Sequence, residues 1–400
     1  GNTRTNDSVI RRELSLLEGD TFNKAKLNSS IKSIKRLGYF EKVDYKLQDS
    51  NLPNSLDILI DVKEMNTGSV TFGIGYSSLN DTTMTFGLNE RNFLGEGKKV
   101  RLEANLSSKK NTYNLGITEP YFLDRQLSLF GNVFDQESEN SKGDVKTNST
   151  GIDFGVGFKS NDVFQRFKYK FTTSETTTST ASTASSATGE EGVEIITSSI
   201  SHILSKDTRD SLFNPTSGYR WRFENTLAGV GGDSNFYKSA FSLKSYYPID
   251  YGDYIFGFKT GLGFVSAFED TVTSSNRFFL GGKKLRGFDR TGIGPRDTGN
   301  NQAVGGNNFY NLSFEVKSDK LMPDDTGLKW FLFSDVGSIW GTDYKSGVQG
   351  YDDSAPRITG GIGLSMITPV GPLEMVWGYP IQSKNYDIEE NFQFSIGTSF

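Results

Sequence analysis

From Gly68 to the C-terminus, apolar and polar positions alternate with a period of two, and no helical period of useful length interrupts them. In "GSVTFGIGYSS", Val70, Phe72, Ile74 and Tyr76 share one face, while Ser69, Thr71, Gly73, Gly75 and Ser77 make a small, polar second face. "KVRLEANLSS", "TGIDFGVGFK", "YRWRFENTLAG" and "FQFSIGTSF" repeat the theme. Turn signals divide the region into sixteen predicted strands, at 69–78, 83–92, 98–108, 111–119, 126–136, 149–159, 164–174, 193–204, 219–229, 235–247, 254–266, 308–318, 328–336, 357–367, 371–379 and 392–400. A soluble sandwich also alternates, but its apolar faces must meet in pairs. An even count of strands near ten residues, with connections that alternate between short and long, predicts an antiparallel transmembrane β-barrel. The Ser/Thr/Ala run within 175–192 then reads as an exposed external loop. Two stretches fit poorly: "SKDTRDSLFNPTSG" is long for a short-turn side, and "KWFLFSDVG" is apolar on both faces.

Residues 1–66 read differently, as a small α+β unit before the barrel at 67–400. Thr5, Asn6 or Asp7 is placed to cap a first helix carrying Val9, Ile10, Leu14 and Leu17, with Gly19 and Asp20 ending it. A second helix carries Leu27, Ile31, Ile34 and Leu37, with Asn23 as cap and Gly38 as a left-handed terminator. Two alternating strands follow, around Val43–Leu47 and Leu56–Val62, giving the helices an apolar face to cover.

Composition sharpens this picture. The chain has 400 residues with 31 Phe, 17 Tyr and 44 Gly, a balance that favours aromatic-rich strands. No apolar run approaches the ~18 residues of a membrane helix, whereas barrel strands leave the average hydropathy low. The absence of Cys excludes disulfides and thiolate metal sites, and a net charge of -5 argues against nucleic acid as a partner. The chain starts at Gly1 without a signal peptide, as a mature fragment or one cut inside a domain would.

Enzyme chemistry finds little support. The lone histidine, His202, lies in an alternating strand, where a structural hydrogen bond explains it better than general-base work. No Gly-x-Ser-x-Gly elbow occurs, and "GEGKK" and "GGKK" lack the spacing of a phosphate-binding loop. The acidic residues of "MPDDTG" and "YDDSAP" read as solvated turn carboxylates. No catalytic residue, metal or cofactor is expected.

The connection 267–307 is long for a structureless loop, which points to a functional role. Phe278, Phe279, Leu280, Leu285, Phe288 and Ile293 could anchor it to a wall, and Gly281, Gly282 and Gly287 permit tight reversals. The plainest reading is a loop that plugs the pore. Within it, "Leu285-Arg286-Gly287-Phe288" carries a guanidinium that needs a carboxylate if it is buried. In "YNLSFEVKSD", Leu312, Phe314 and Val316 form the apolar face, so parity turns Glu315 towards the lumen. Asp335 on the next strand would cost up to a few kcal/mol facing lipid, so it too is expected inside. An arginine between Glu315 and Asp335 would be a structural clamp.

At these residues the chain resembles a known family. "LRGF" after "FFLGG" and before "IGPRD", together with "FSDVG", is similar to the outer-membrane assembly and secretion superfamily of sixteen-stranded barrels with periplasmic POTRA domains. The N-terminal run to "LGYFEKV" resembles the last POTRA domain of its barrel-assembly branch, lacking the first strand of that domain. The resemblance covers essentially the whole chain. It implies an inward-folded loop at 267–307, Arg286 in contact with Glu315 and Asp335, and a weakly paired seam between the first and last strands, marked by Val70, Phe72, Ile74, Phe394, Ile396 and Phe400. It further implies insertion of barrel proteins into the bacterial outer membrane by strand addition at that seam, without ATP. The implied partners are unfolded outer-membrane protein clients, accessory lipoproteins of the assembly machinery, and outer-membrane lipid and lipopolysaccharide. "FQFSIGTSF" is also similar to the signal by which such barrels are recognised, and equally fits a strand ending in the aromatic girdle.

Other readings stay open at this point. A two-partner secretion pore or an autotransporter assembly factor of the same superfamily is the nearest. A diffusion porin would leave the N-terminal unit and the Arg286 loop unexplained, and an outer-membrane lipase or protease is disfavoured by the shortage of His.

Overall fold

A computed structural model of the chain describes residues 1–50, 53–139, 145–178, 192–212, 214–269, 271–323, 326–369 and 371–397. The N-terminal unit packs two helices, α1 (Asp7–Arg11) and α2 (Lys24–Arg36), on a two-stranded antiparallel sheet of β1 (Phe40–Asp49) and β2 (Leu56–Glu64). Asn23 caps α2 by accepting from the backbone N–H of Ala25 and Lys26 at 2.9 and 3.1 Å. Gly38 follows in the left-handed region, φ 68°. Val9, Leu27, Ile31, Ile34, Tyr39, Val43 and Val62 form the buried core.

The first helix is shorter than its apolar spacing predicts. It ends at Arg11, and Asn6 makes no side-chain cap. The Ser15 N–H donates to Ser30 Oγ at 2.9 Å and the Ser15 hydroxyl to the Lys26 carbonyl at 3.1 Å, which pulls the chain out of helix and onto α2. Leu14 and Leu16 then pack on the core, and Leu17 is 73% exposed.

Sixteen antiparallel strands form a closed barrel, each paired with its chain neighbours and the last, Phe392–Gly397, with the first, Gly68–Ser77. The predicted strands recur with shifted ends. The seventh runs Val163–Thr178, so part of the stretch expected as loop is strand, and 179–191 lies outside the described residues. The eighth and ninth, Glu194–Asp207 and Gly218–Gly232, shorten the misfitting turn to 208–217, where Asp210 accepts from the Thr216 and Ser217 N–H groups.

The doubly apolar segment resolves through its neighbour. In the thirteenth barrel strand, Lys329–Trp340, Phe331 and Phe333 are buried inward and Leu332 faces out. Their register partners on the fourteenth, Arg357–Thr368, are Gly363 and Gly361. A Cβ on Gly363 would lie 2.1 Å from Phe331 Cζ, and one on Gly361 2.6 Å from Phe333 Cζ. The glycines leave the space the rings fill.

The N-terminal unit rests on the short-turn end of the barrel. The Asn6 N–H donates to the Gly95 carbonyl at 2.9 Å, Asn92 Nδ2 to Thr5 Oγ1 at 2.9 Å, and the Arg12 guanidinium lies 4.3 Å from the Tyr121 ring centre. Glu64 gathers the opposite side, accepting from the backbone N–H of Thr3 and Thr5 at 3.2 and 2.7 Å and from the Thr3 hydroxyl at 2.9 Å. Burial pushes the Glu64 carboxyl up, but these hydrogen bonds outweigh it and hold it at about 2.

Candidate functional site

The loop after the eleventh barrel strand, Tyr254–Ala267, folds into the lumen. Leu280, Leu285, Phe288 and Ile293 are buried against Phe309 and Ile339 of the wall, with Phe278 packed beside them. Phe279, expected among the anchors, is 37% exposed instead, because Phe278 takes the wall position against Phe309 at 4.7 Å between ring centres. Gly281, Gly282 and Gly287 all have positive φ, at 146°, 55° and 93°. Gly287 passes so close to the fifteenth barrel strand, Gly371–Gln382, that a Cβ there would meet the Gly378 backbone at 3.3 Å.

This reversal delivers Arg286 to two carboxylates. Its Nε donates to Asp335 Oδ2 at 2.8 Å and its Nη2 to Asp335 Oδ1 at 2.7 Å, a bidentate fork. Its backbone N–H reaches the same Oδ2 at 3.0 Å, Nη1 donates to Glu315 Oε2 at 2.8 Å, and Nη2 to Ser313 Oγ at 3.0 Å. Lys259 Nζ adds a second cation, 3.2 Å from Glu315. The guanidinium stands 3.7 Å from the centre of the Phe333 ring. Two cations against two carboxylates leave the buried cluster formally neutral, which offsets the cost of taking it out of water.

Beyond Arg286 the loop reaches both sides of the barrel closure. Gly287 and Phe288 pair as a short ladder with Glu390 and Glu389, and Gln393 Nε2 of the last strand donates to the Phe288 carbonyl at 3.0 Å. On the other side, Arg290 contacts Asn80 Oδ1 at 3.4 Å and the Glu139 carbonyl, and Gly282 lies against Leu79.

Across the closure itself the described residues form three pairs, Ser395 with Ser77, Ile396 with Tyr76 and Gly397 with Gly75. The other edge of the first strand makes ten with the second. Val70, Phe72 and Ile74 point their side chains outward and are exposed. Phe394 sits beside Tyr76 at 6.2 Å between ring centres, and its carbonyl accepts from the Ser78 N–H at 2.9 Å. Phe400 lies outside the described residues.

A second buried cluster has no counterpart in the sequence reading. Arg357 donates to Asp387 at 3.0 Å through Nε and to the Tyr386 hydroxyl at 3.0 Å through Nη2, while the Tyr386 hydroxyl donates to Asp353 at 2.6 Å and Lys384 pairs with Asp353 at 3.0 Å. Asp353, expected as a solvated turn carboxylate in "YDDSAP", is thus part of an ion-pair network joining two external connections. Burial raises its carboxyl, but the Tyr386 and Ala355 hydrogen bonds prevail and hold it at about 2. Asp324 and Asp325 of "MPDDTG" lie outside the described residues. His202 stacks on Phe167 at 4.3 Å and its Nε2 is 3.3 Å from Gln165 Oε1.

Comparison with known proteins places these features in a lineage. Residues 92–400 match the model of the Omp85 superfamily domain, and residues 1–65 match the POTRA model, a surface antigen variable number repeat. The chain is 29% identical, over its whole length, to the outer membrane protein assembly factor BamA of Nitratidesulfovibrio vulgaris, and 29% identical to that of Neorickettsia risticii. It spans about half the length of these curated relatives, 50% and 54%. Among solved structures, the crystal structure of BamA from Haemophilus ducreyi lacking POTRA domains 1–3 superposes with a TM-score of 0.90 at 24% identity, covering 99% of this chain and 82% of that one.

Proposed function

The chain belongs to the Omp85 superfamily, and from that premise we propose that it assembles β-barrel proteins into the bacterial outer membrane, where its own barrel resides. The observation that carries the reading is a closed barrel of the Omp85 superfamily whose first and last strands meet at one closure, with the inward loop held to both sides of it. If that closure parts, the freed edge of the first strand exposes N–H and C=O groups that template an incoming strand, so a client can add by β-augmentation. In this reading the seam opens sideways between the first and last strands, and unfolded client strands leave through it into lipid. Each client strand exchanges its hydrogen bonds to water for bonds to the seam at little net gain, and the transfer of its apolar face from water into lipid supplies the driving force without nucleotide hydrolysis.

Arg286 has a positioning role in this scheme. By fixing the inward loop to Asp335 and Glu315, on strands remote from the seam, it holds the lumen in a defined shape while the seam moves. The N-terminal POTRA unit, on the short-turn side, would receive clients in the periplasm together with accessory lipoproteins, and outer-membrane lipid and lipopolysaccharide would surround the barrel.

Depletion of the protein in its native cell tests the proposal. Many unrelated outer-membrane barrel proteins should fall together. Loss of a single secreted partner, with other barrels unchanged, would instead identify a dedicated secretion pore.

A further inference from the structure

Away from the Arg286 cluster, barrel strands five to ten and loop residues Ser275 and Asn276 enclose a cavity of about 350 Å³. None of the residues that hold Arg286 line it. Its wall is a patterned surface: Lys168, Ser201, Thr226 and Lys238 occupy one cross-strand rung on four adjacent strands. With strands about 4.8 Å apart, the two lysines bracket a hydroxyl pair across roughly 14 Å. The Ser201 and Thr226 hydroxyls are 2.9 Å apart. On the neighbouring inward rungs, Lys170 faces Ser199 and Thr172 faces Thr197.

The charges on this wall do not balance. Lys168 shares the cavity's one carboxylate, Glu224, at 4.0 Å. Lys170 stands over the Phe134 ring at 4.9 Å, and Lys238 donates to the Asn276 carbonyl at 2.7 Å and stands over the Phe278 ring at 4.4 Å. Among the described residues, neither Lys170 nor Lys238 makes an ion pair. With Arg222 2.8 Å from Glu224 and Asp153 in register beside Lys170, four cations face two carboxylates and leave two positive charges in excess in a partly desolvated recess. The Thr172 side chain, 6% exposed, lines the same cavity with its hydroxyl unpartnered.

Such a surface has a surplus of donors and of positive charge. Its complement is a group made of acceptors, with more than one negative charge and tetrahedral reach. A neutral sugar would leave the ammonium groups uncompensated, and a cation would be repelled. Lysine serves phosphate as a point charge, and hydroxyls complete its oxygen shell. We infer that this cavity binds a small phosphate-bearing ligand, its oxyanion held by Lys168, Lys170, Lys238 and the Thr172 hydroxyl, its remainder against Phe134 and Phe236. A free phosphate ester and the phosphorylated headgroup of an outer-membrane lipid share this chemistry.

The full chain, refolded in neutral detergent at low ionic strength, is titrated calorimetrically with pyrophosphate. The expected result is one saturable site per chain. Lys170→Gln and Lys238→Gln each weaken it about tenfold, the worth of one charge-assisted hydrogen bond, while Lys345→Gln, on an exposed external connection, leaves it unchanged. Thr172→Val keeps the charge and weakens binding without altering the salt dependence. Heat-modifiable migration on gels verifies that each variant is folded. Repeating the titration in nanodiscs separates the sources: phosphorylated lipopolysaccharide suppresses pyrophosphate binding if the lipid phosphate occupies the cavity, and leaves it intact if the ligand is soluble. Binding that does not saturate, that exceeds one ligand per chain, or that Lys170→Gln and Lys238→Gln leave unaltered would overturn the inference, since diffuse counterion attraction to the lumen would then account for it.

Discussion

Arg286 and Asp335 are joined by three hydrogen bonds of 2.7, 2.8 and 3.0 Å, two from the guanidinium fork and one from the arginine's own backbone N–H. The third contact fixes the loop backbone as well as the side chain. Removing the carboxylate in Asp335→Ala leaves a buried guanidinium with Glu315 alone, and should cost about 3–5 kcal/mol. Unfolding in urea, followed by heat-modifiable migration, measures it. Arg286→Glu should be similarly damaging and partly restored by Asp335→Arg; a double-mutant cycle showing independent effects would contradict the clamp.

The sequence contains no Cys, so an introduced pair reports without background. Ser77 and Ser395 are register partners across the closure. Cysteines at both positions should form a disulfide on oxidation and reduce client insertion more than tenfold, with recovery on reduction and neither single variant impaired. Full activity of the oxidised, fully crosslinked protein would exclude sideways opening at this seam.

The rings of Phe331 and Phe333 depend on glycines next door. Gly363→Val places side-chain atoms where Phe331 sits and should destabilise the barrel by about 1–3 kcal/mol. Adding Phe331→Leu should recover part of the loss, read from the urea midpoints of the single and double variants.

Glu64 ties the N-terminal segment to the POTRA sheet, and its carboxyl is held at about 2 against an ordinary value of 4.5. A depressed carboxyl stabilises the fold fully above its ordinary value, and that contribution is lost as pH falls through the depressed one. Glu64→Gln should therefore loosen the segment around Thr3 to Thr5 by on the order of 2 kcal/mol near neutral pH. The difference from wild type should shrink below about pH 4.5 and vanish near pH 2. Limited proteolysis of the full chain across this range follows it, and a difference that persists unchanged to pH 2 would remove the assignment.

The barrel wall is legible in the sequence because the period-two pattern and its turn signals recur sixteen times, each reinforcing the same register of inside and outside. Parity also places Glu315 on an inward position, and the cost of a carboxylate facing lipid places Asp335 there, where Arg286 meets them. Local period fails where a distant partner decides. Leu14 and Leu17 have helical spacing, yet the Ser15 to Ser30 contact redirects the chain. "KWFLF" is ambiguous alone because Gly361 and Gly363, about thirty residues on, create the inward space. The Arg357 network draws Asp353, Lys384, Tyr386 and Asp387 from two connections. A loop carboxylate has the same appearance in a sequence whether water or arginine faces it.

The inward loop grips both banks of the closure, the last strand through Gln393 and Phe288, the first hairpin through Arg290 and Asn80. Two sites that share one body are thermodynamically reciprocal: whatever strains one changes the other by the same free energy. A strand wedged between Ser77 and Ser395 must stretch these two grips apart, and so pulls on the segment whose far end is anchored at Asp335. If the seam opens as proposed, the loop acts as a strain gauge for the doorway, registering inside the pore how far the two banks have parted.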